Sequence, residues 1–297
     1  MITNLGPAHQ FLGIKKHYNG TGISLGQEAY ITTILRRFGM EHTHGVSMPL
    51  DPNVKVDLAV DRGESELDDI TGHRAVVGSL MNSALATRPD IVYAVAALSH
   101  YDSQPFTTHM TAAKRVLLYL KCTDYFRLHT NCYGIDIDID IGNSLFGYSE
   151  SNWANDSVDR KSQVGHVFLA RNGAISWQSR KKRLFAMSDL EAEFIACLEA
   201  SRQAKRLLQL QNDIHNNYSP LLPINCDNQG ALTRITTRNI KARTKHIHIC
   251  YHTSLDLHRQ RIVNYSYVHT DDNVADILIK ALTQDMHTKF TKAMGSW

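Results

Sequence analysis

Leu145-Phe-Gly-Tyr-Ser-Glu-Ser-Asn152, Gln163-Val-Gly-His-Val-Phe-Leu-Ala170 and Ala174-Ile-Ser-Trp-Gln-Ser179 are three strand-length runs in close succession, and they decide the fold. Asn172-Gly173, between the second and third, is a hairpin signal because both residue types tolerate positive φ. From Glu191 to Ile214, Phe194, Ile195, Leu198, Leu207, Leu208 and Ile214 form an apolar stripe, which predicts a long amphipathic helix. Leu221 to Cys226 reads as a fourth strand and Ile262 to His269 as a fifth. A helix between two strands is a crossover, so these elements predict a mixed α/β sheet.

Upstream of about residue 143 the pattern differs. Phe11-Leu-Gly-Ile14 and Gly22-Ile-Ser-Leu25 flank Asn19-Gly20, another hairpin signal. Helices are expected over Gln27–Phe38, with Gly39 as the stop, over His73–Ala86, from Pro89 to Tyr101, and over Thr108–Leu120. Residues 41–69 read as an irregular connection, and this half is expected to be mostly helical. In Ile135-Asp-Ile-Asp-Ile-Asp-Ile141 strict alternation puts Asp136, Asp138 and Asp140 on one strand face. A solvated edge strand or linker explains them more simply than a cation site.

The bulk numbers narrow the function classes. At 297 residues the chain makes one large domain or two ordinary ones, and 43% hydrophobic with 21% charged residues is a globular composition. A net charge of +3 means that any nucleic-acid affinity must come from local basic patches. The five cysteines, Cys122, Cys132, Cys197, Cys226 and Cys250, are odd in number and lack C-x-x-C spacing, which speaks against a disulfide framework. The first residues read as no signal peptide, and no apolar run approaches a membrane span.

Four acids stand at strand ends and helix starts: Glu150, Glu193, Asp227 and Asp276. Carboxylates so placed can converge at one sheet edge, as a two-metal phosphodiester-cleaving site requires. Each also has a plainer reading: Glu193 as a first-turn helix acid, Asp227 as an N-cap and Asp276 on an exposed helix face.

The flanking residues carry a resemblance. Gly147-Tyr-Ser-Glu-Ser-Asn-Trp-Ala154 resembles the GYSDADWA motif of copia-type retrotransposon Pol proteins, and Asp159 to Phe168 resembles their DRKSTSGYVF. Gly173-Ala-Ile-Ser-Trp177 resembles GAISW, and Ser188 to Ala196 resembles SSTEAEYIA. Cys226-Asp-Asn-Gln229, Arg243-Thr-Lys-His-Ile247 and Ala275-Asp-Ile-Leu278 follow in the family's order. Leu5-Gly6, Phe11-Leu-Gly-Ile14, Val77-Gly-Ser-Leu-Met81, Thr87-Arg-Pro-Asp-Ile91, Lys114-Arg-Val-Leu117 and Tyr119-Leu-Lys121 resemble the end of the reverse transcriptase, its thumb and connection.

The resemblance implies residues 1–143 as the C-terminal part of a reverse transcriptase and residues 144–297 as a ribonuclease H-like domain. That domain would have a mixed five-stranded sheet with flanking helices. No Tyr-x-Asp-Asp precedes Phe11, so polymerisation is not expected of what looks like a truncated Pol fragment. The implied activity is hydrolysis of the RNA strand of RNA–DNA hybrids with two Mg²⁺ or Mn²⁺ ions held by Glu150, Glu193, Asp227 and Asp276. Other Pol or Gag products are implied partners, and the cytoplasm, in a virus-like particle, or the nucleus is the implied location. Arg180, Lys181, Lys182 and Arg183, with Arg234, Arg238, Lys241, Arg243 and Lys245, suit phosphate contacts. Trp153, Trp177 and Tyr148 suit stacking or packing.

Two positions depart from the family, which has Asp at 150 and a second acid at 152, where this chain has Glu150 and Asn152. A catalytically decayed remnant that binds nucleic acid or serves as an interaction protein is therefore the alternative reading. His269 is a candidate proton-transfer group or a partly exposed strand residue. His246, His248, Cys250 and His252 have zinc-ligand chemistry, but the family uses no zinc there.

Overall fold

The computed structural model describes residues 8–19, 22–54, 66–131, 145–153, 161–182, 188–215, 221–236 and 253–297. The Asp136–Asp140 ladder, the 246–252 histidine–cysteine group, and Arg183, Arg238, Lys241, Arg243 and Lys245 lie outside them. The chain forms two compact units. One comprises residues 1–133 and 281–297, the other residues 134–280.

The first unit combines a four-stranded sheet, in the order β1-β2-β3-β4, with helices. Its strands are β1 (Gln10–Phe11), β2 (Ile14–Asn19), β3 (Gly22–Gly26) and β4 (Leu128–Asn131). The hairpin expected at Asn19-Gly20 is present, with Asn19 opposite Gly22. Phe11-Leu-Gly-Ile14 is itself a tight turn: Leu12 and Gly13 have φ of 50° and 78°, and Phe11 pairs with Ile14. The helices are α1 (Glu28–Arg37), α2 (Ile70–Ala86), α3 (Val92–Ser99), preceded by a 3-10 turn at Pro89–Ile91, and α4 (Thr107–Cys122). Asp69 caps α2 by accepting from the Gly72 N–H at 2.7 Å.

The last residues belong to this unit and not to the C-terminal domain that a boundary at 143 assigns them to. The reason is visible in the hydrogen bonds. The His129 N–H donates to the Gly295 carbonyl at 2.7 Å, and the His129 ring stacks on Trp297 with centroids 4.7 Å apart. Gln284–Ala293 is a helix whose His287 Nε2 lies 3.1 Å from the Asp90 carbonyl. Beneath it Arg88 is fully buried, paired twice with Asp90 at 2.9 and 2.7 Å, while the Tyr119 hydroxyl donates to Asp90 at 2.7 Å.

The second unit is a five-stranded mixed sheet in the order β7-β6-β5-β8-β9. The strands are β5 (Leu145–Asn152), β6 (Gln163–Ala170), β7 (Gly173–Lys181), β8 (Leu222–Cys226) and β9 (Val263–Tyr267). β5, β6 and β7 are antiparallel, whereas β8 runs parallel to β5 and β9 parallel to β8. The chain leaves β7 through the long helix α5 (Asp189–His215) and returns on the other side of β5, so the strand order reverses at β5. In open α/β sheets such a reversal opens a crevice beyond the strands' carboxyl ends.

β6 is buried along its whole length because both faces are covered. On one face the segment Val274–Leu278, a 3-10 helix, approaches so closely that a Cβ on Gly165 would lie 2.7 Å from the Leu278 Cβ. Only glycine allows this approach, and it is what brings residues 273–276 to the end of β5. Gly165→Ala is expected to lower stability by roughly 1–3 kcal/mol through overpacking. Urea unfolding, followed by a signal from the second unit, checks this.

Candidate metal centre

Alternation along β5 sorts its end residues onto two faces. Ser149 and Ser151 face α5: the Ser149 hydroxyl lies 3.4 Å from the Cys197 sulfur, and the Ser151 hydroxyl donates to Glu193 Oε1 at 2.8 Å. Glu150 faces the 3-10 segment, where its Oε2 accepts from Asn273 Nδ2 at 2.6 Å. The Ser151 N–H donates at 3.1 Å to both Glu150 Oε1 and Glu193 Oε1. One backbone amide thus ties together carboxylates arriving from opposite sides of the sheet.

Asp227 completes the group from just past β8. Its Oδ2 accepts from the Thr270 hydroxyl at 2.6 Å, and it stands half-buried. Oxygens of Glu193 and Asp227 and the Cys226 sulfur all lie within 4.8 Å of one another. Glu150 and Glu193 are 6% and 3% exposed. Burial pushes the Glu150 carboxyl far above the usual carboxylate range, and the neighbouring Glu193 and Asp227 push it further. Glu193 is raised too, by burial first, with the Ser151 hydrogen bonds opposing.

Asp276 is buried but differently placed. It lies in the 3-10 helix, and its Oδ1 is 2.8 Å from Lys280 Nζ. Burial raises its carboxyl, the Lys280 ammonium opposes, and Asp227 is near enough to add to the rise. The structure therefore brings Glu150, Glu193 and Asp227 together and sets Asp276 beside them, already ion-paired.

The donors fit a hard divalent cation. Three carboxylates offer oxygen, the ligand chemistry of Mg²⁺ and Mn²⁺. Cys226 is the one soft donor, but its hydrogen bond with Cys197 and its burial hold the thiol protonated, and it lies 3.8 Å from Glu193 Oε2 as a donor. A protonated thiol is a poor zinc ligand.

Sequence reasoning missed four residues that shape this site: Ser151, Cys226, Thr270 and Asn273. Asn273 had a readable signal as an N-cap, since its Oδ1 accepts from the Ala275 N–H at 3.2 Å. Its grip on Glu150 and on the Ser149 carbonyl, at 3.1 Å, is tertiary and left no mark in the sequence. His269 lies beyond β9, not on it; its Nδ1 accepts from the Asp271 N–H at 3.3 Å in solvent. Of the basic residues, Arg180 is exposed, Lys181 is half-buried, and Lys182 is ion-paired with Glu199. Trp153 is exposed, and Trp177 on β7 is half-buried.

The raised acids have a stability consequence. Their folded-state pKa values exceed the ordinary 4.5, so without metal the folded state binds more protons than the unfolded one. Stability therefore falls as pH rises above that value. Glu150→Gln is expected to raise the metal-free melting temperature at pH 8 and to flatten its decline from pH 5 to pH 8. Thermal unfolding in a chelator checks both.

No family model matches the chain. It is 33% identical over 295 residues, 96% of its length, to the retrovirus-related Pol polyprotein from transposon TNT 1-94 of Nicotiana tabacum. It is 32% identical over 287 residues, 97% of its length, to that from transposon RE1 of Arabidopsis thaliana. It spans 21% and 19% of these two relatives. Among solved structures, a ribonuclease H1 from Halobacterium salinarum matches 46% of this chain and 93% of its own at 13% identity, with a TM-score of 0.33. A foamy viral protease-reverse transcriptase in complex with an RNA/DNA hybrid matches 88% of this chain and 29% of its own at 12% identity, with a TM-score of 0.42.

Proposed function

The chain belongs to the copia-type retrotransposon Pol polyproteins, spanning about a fifth of them, and from that premise we propose that its ribonuclease H-like second unit hydrolyses the RNA strand of RNA–DNA hybrids. The observation that carries this reading is the convergence of Glu150, Glu193 and Asp227 at the carboxyl ends of the parallel strands β5 and β8. The acids' mutual repulsion is what bound cations would remove.

Glu193 and Asp227 would hold the metal, Mg²⁺ or Mn²⁺, with Glu150 as the third ligand and Asp276 as a fourth that exchanges Lys280 for it. When bound, two such ions would supply an activated water and neutralise the leaving oxygen. The protein's own part is orientation. Ser151 fixes one oxygen of Glu193, Thr270 fixes one of Asp227, and Asn273 with the Ser151 N–H fixes both of Glu150, so a protein partner sets the orientation of each carboxylate. The hybrid's phosphates are assigned to Arg180, Lys181, Lys182 and Arg183, and to Arg238, Lys241, Arg243 and Lys245. Other Pol and Gag products would be partners in a cytoplasmic particle or in the nucleus. Among the described residues no helix is long and apolar enough to cross a membrane.

A second reading, a binding protein without turnover, is favoured by two observations. Glu150 is engaged by Asn273, and Asp276 is engaged by Lys280. Cleavage of a labelled hybrid in Mg²⁺ or Mn²⁺ decides between them. The chain is expected to cleave, Asp227→Asn to lose on the order of 100-fold or more, and Glu150→Asp to gain up to about 100-fold, the range that a misplacement near 1 Å commands. Tight binding with no cleavage by either the unmodified chain or Glu150→Asp sinks the hydrolase reading and leaves the second.

A further inference from the structure

β7 is an edge strand, and its face toward α5 carries Ser176, Gln178 and Arg180 at every second position. His166 on β6 pairs with Gln178 and shares that face. Opposite stand Glu199, Arg202, Gln203 and Arg206 of α5, which fall within an arc of about 100° on the helix. A strand face turned toward a helix ordinarily carries apolar residues that pack. Here both partners are polar, and a cleft of about 230 Å³ separates them, also lined by Trp177.

The charge in the cleft is one-sided. Its single acid, Glu199, is already ion-paired with Lys182. Gln203 Nε2 donates to the Ser176 hydroxyl at 2.9 Å, which ties the helix to the strand across the cleft. Arg180, Arg202 and Arg206 are exposed, and among the described residues no carboxylate forms an ion pair with them. His166, 6% exposed, has its imidazole pushed down to about 4 by burial, so it is a neutral hydrogen-bonding group at neutral pH.

We propose that this cleft is a second phosphate site, where Arg180, Arg202 and Arg206 hold a backbone phosphate of the hybrid away from the cleavage centre. The inference rests on the ribonuclease H reading and extends it to residues of α5. Guanidinium groups bind phosphate oxygens in a bidentate fork, and the glutamine amides add neutral donors. Arg202 lies nine residues beyond Glu193 on α5, about 14 Å along the helix axis. At roughly 3.4 Å of rise per nucleotide, one strand reaches from the acids to the cleft in about four nucleotides. Phosphate binding is blind to base sequence, as an enzyme acting along a whole hybrid requires.

The test uses the full chain carrying Asp227→Asn, so that bound hybrid is not cut, with a fluorescent RNA–DNA hybrid in Mg²⁺ and anisotropy read across about 50–200 mM salt. Adding Arg202→Gln and Arg206→Gln together is expected to weaken binding about tenfold or more. The slope of log affinity against log salt should become shallower by roughly 0.9 for each phosphate that the variant no longer neutralises. Lys205→Gln, which removes one positive charge on α5 outside the cleft, is expected to leave affinity and slope unchanged. Melting temperatures confirm that all variants fold.

If the parent binds hybrid and the double arginine variant binds equally with the same slope, the cleft inference is wrong and the ribonuclease H reading stands. If the parent does not bind hybrid even at low salt, the reading falls and takes the inference with it. If inorganic phosphate raises the melting temperature of the parent but not of the double variant, while hybrid affinity is the same in both, the cleft takes a free anion, which overturns the backbone assignment.

Discussion

Three carboxylates crowd one low-dielectric corner of the second unit, and the charged groups that act most strongly on Glu150 there are other acids. The arrangement is unfavourable in isolation: burial disfavours each charge, and each charge disfavours the next. Much of the local structure is what keeps it in place. β5 and β8 must be parallel neighbours for Asp227 to stand beside Glu150, and α5 must start where Glu193 reaches the Ser151 amide. Gly165 must lack a side chain so that residues 274–278 can lie on β6 and carry Asn273 to Glu150.

The first unit shows what a buried charge looks like when it is balanced. Arg88 and Asp90 are both almost wholly inaccessible, yet every strong partner is supplied: two guanidinium–carboxylate hydrogen bonds, the Tyr119 hydroxyl, the Thr123 hydroxyl and carbonyl, and the aromatic rings of Tyr119 and Phe126. The Arg88 side chain is held protonated and the Asp90 carboxyl is held down, despite burial that opposes both. Such a pair fixes geometry and locks His287, and with it the C-terminal helix, onto the unit. The acids of the second unit are raised instead, because burial and the neighbouring acids both disfavour their charged forms.

The mixed sheet was legible because its strands alternate, its hairpin carries Asn172-Gly173, and its crossover helix has a long apolar stripe. Glu150, Glu193 and Asp227 were legible because each sits in a local motif. What the sequence hid depends on distant approach. β4 is four residues long with weak alternation, and only its partner β3 makes it a strand. Phe11 to Ile14 looks like strand until the positive φ of Leu12 reveals a turn. The tail's return to the first unit follows from pairing with residues 127–129, more than 160 positions away. Arg202 and Arg206 carry no local motif; only the fold sets Ser176, Gln178 and Arg180 opposite them.

Glu150 joins these features. An aspartate at this position could not reach as far toward Asn273, whose amide also holds the Ser149 carbonyl and whose own side-chain oxygen caps the 3-10 helix. The extra methylene thus gives the carboxylate a structural partner that ties β5 to the segment bearing Asp276. The same bond draws one oxygen away from the other acids. Asp276 is held in a similar way by Lys280. Both contacts give a buried carboxylate a hydrogen-bonding partner, which offsets part of the cost of burying it. On the proposed hydrolase reading, turnover requires Asn273 and Lys280 to release their carboxylates to a metal.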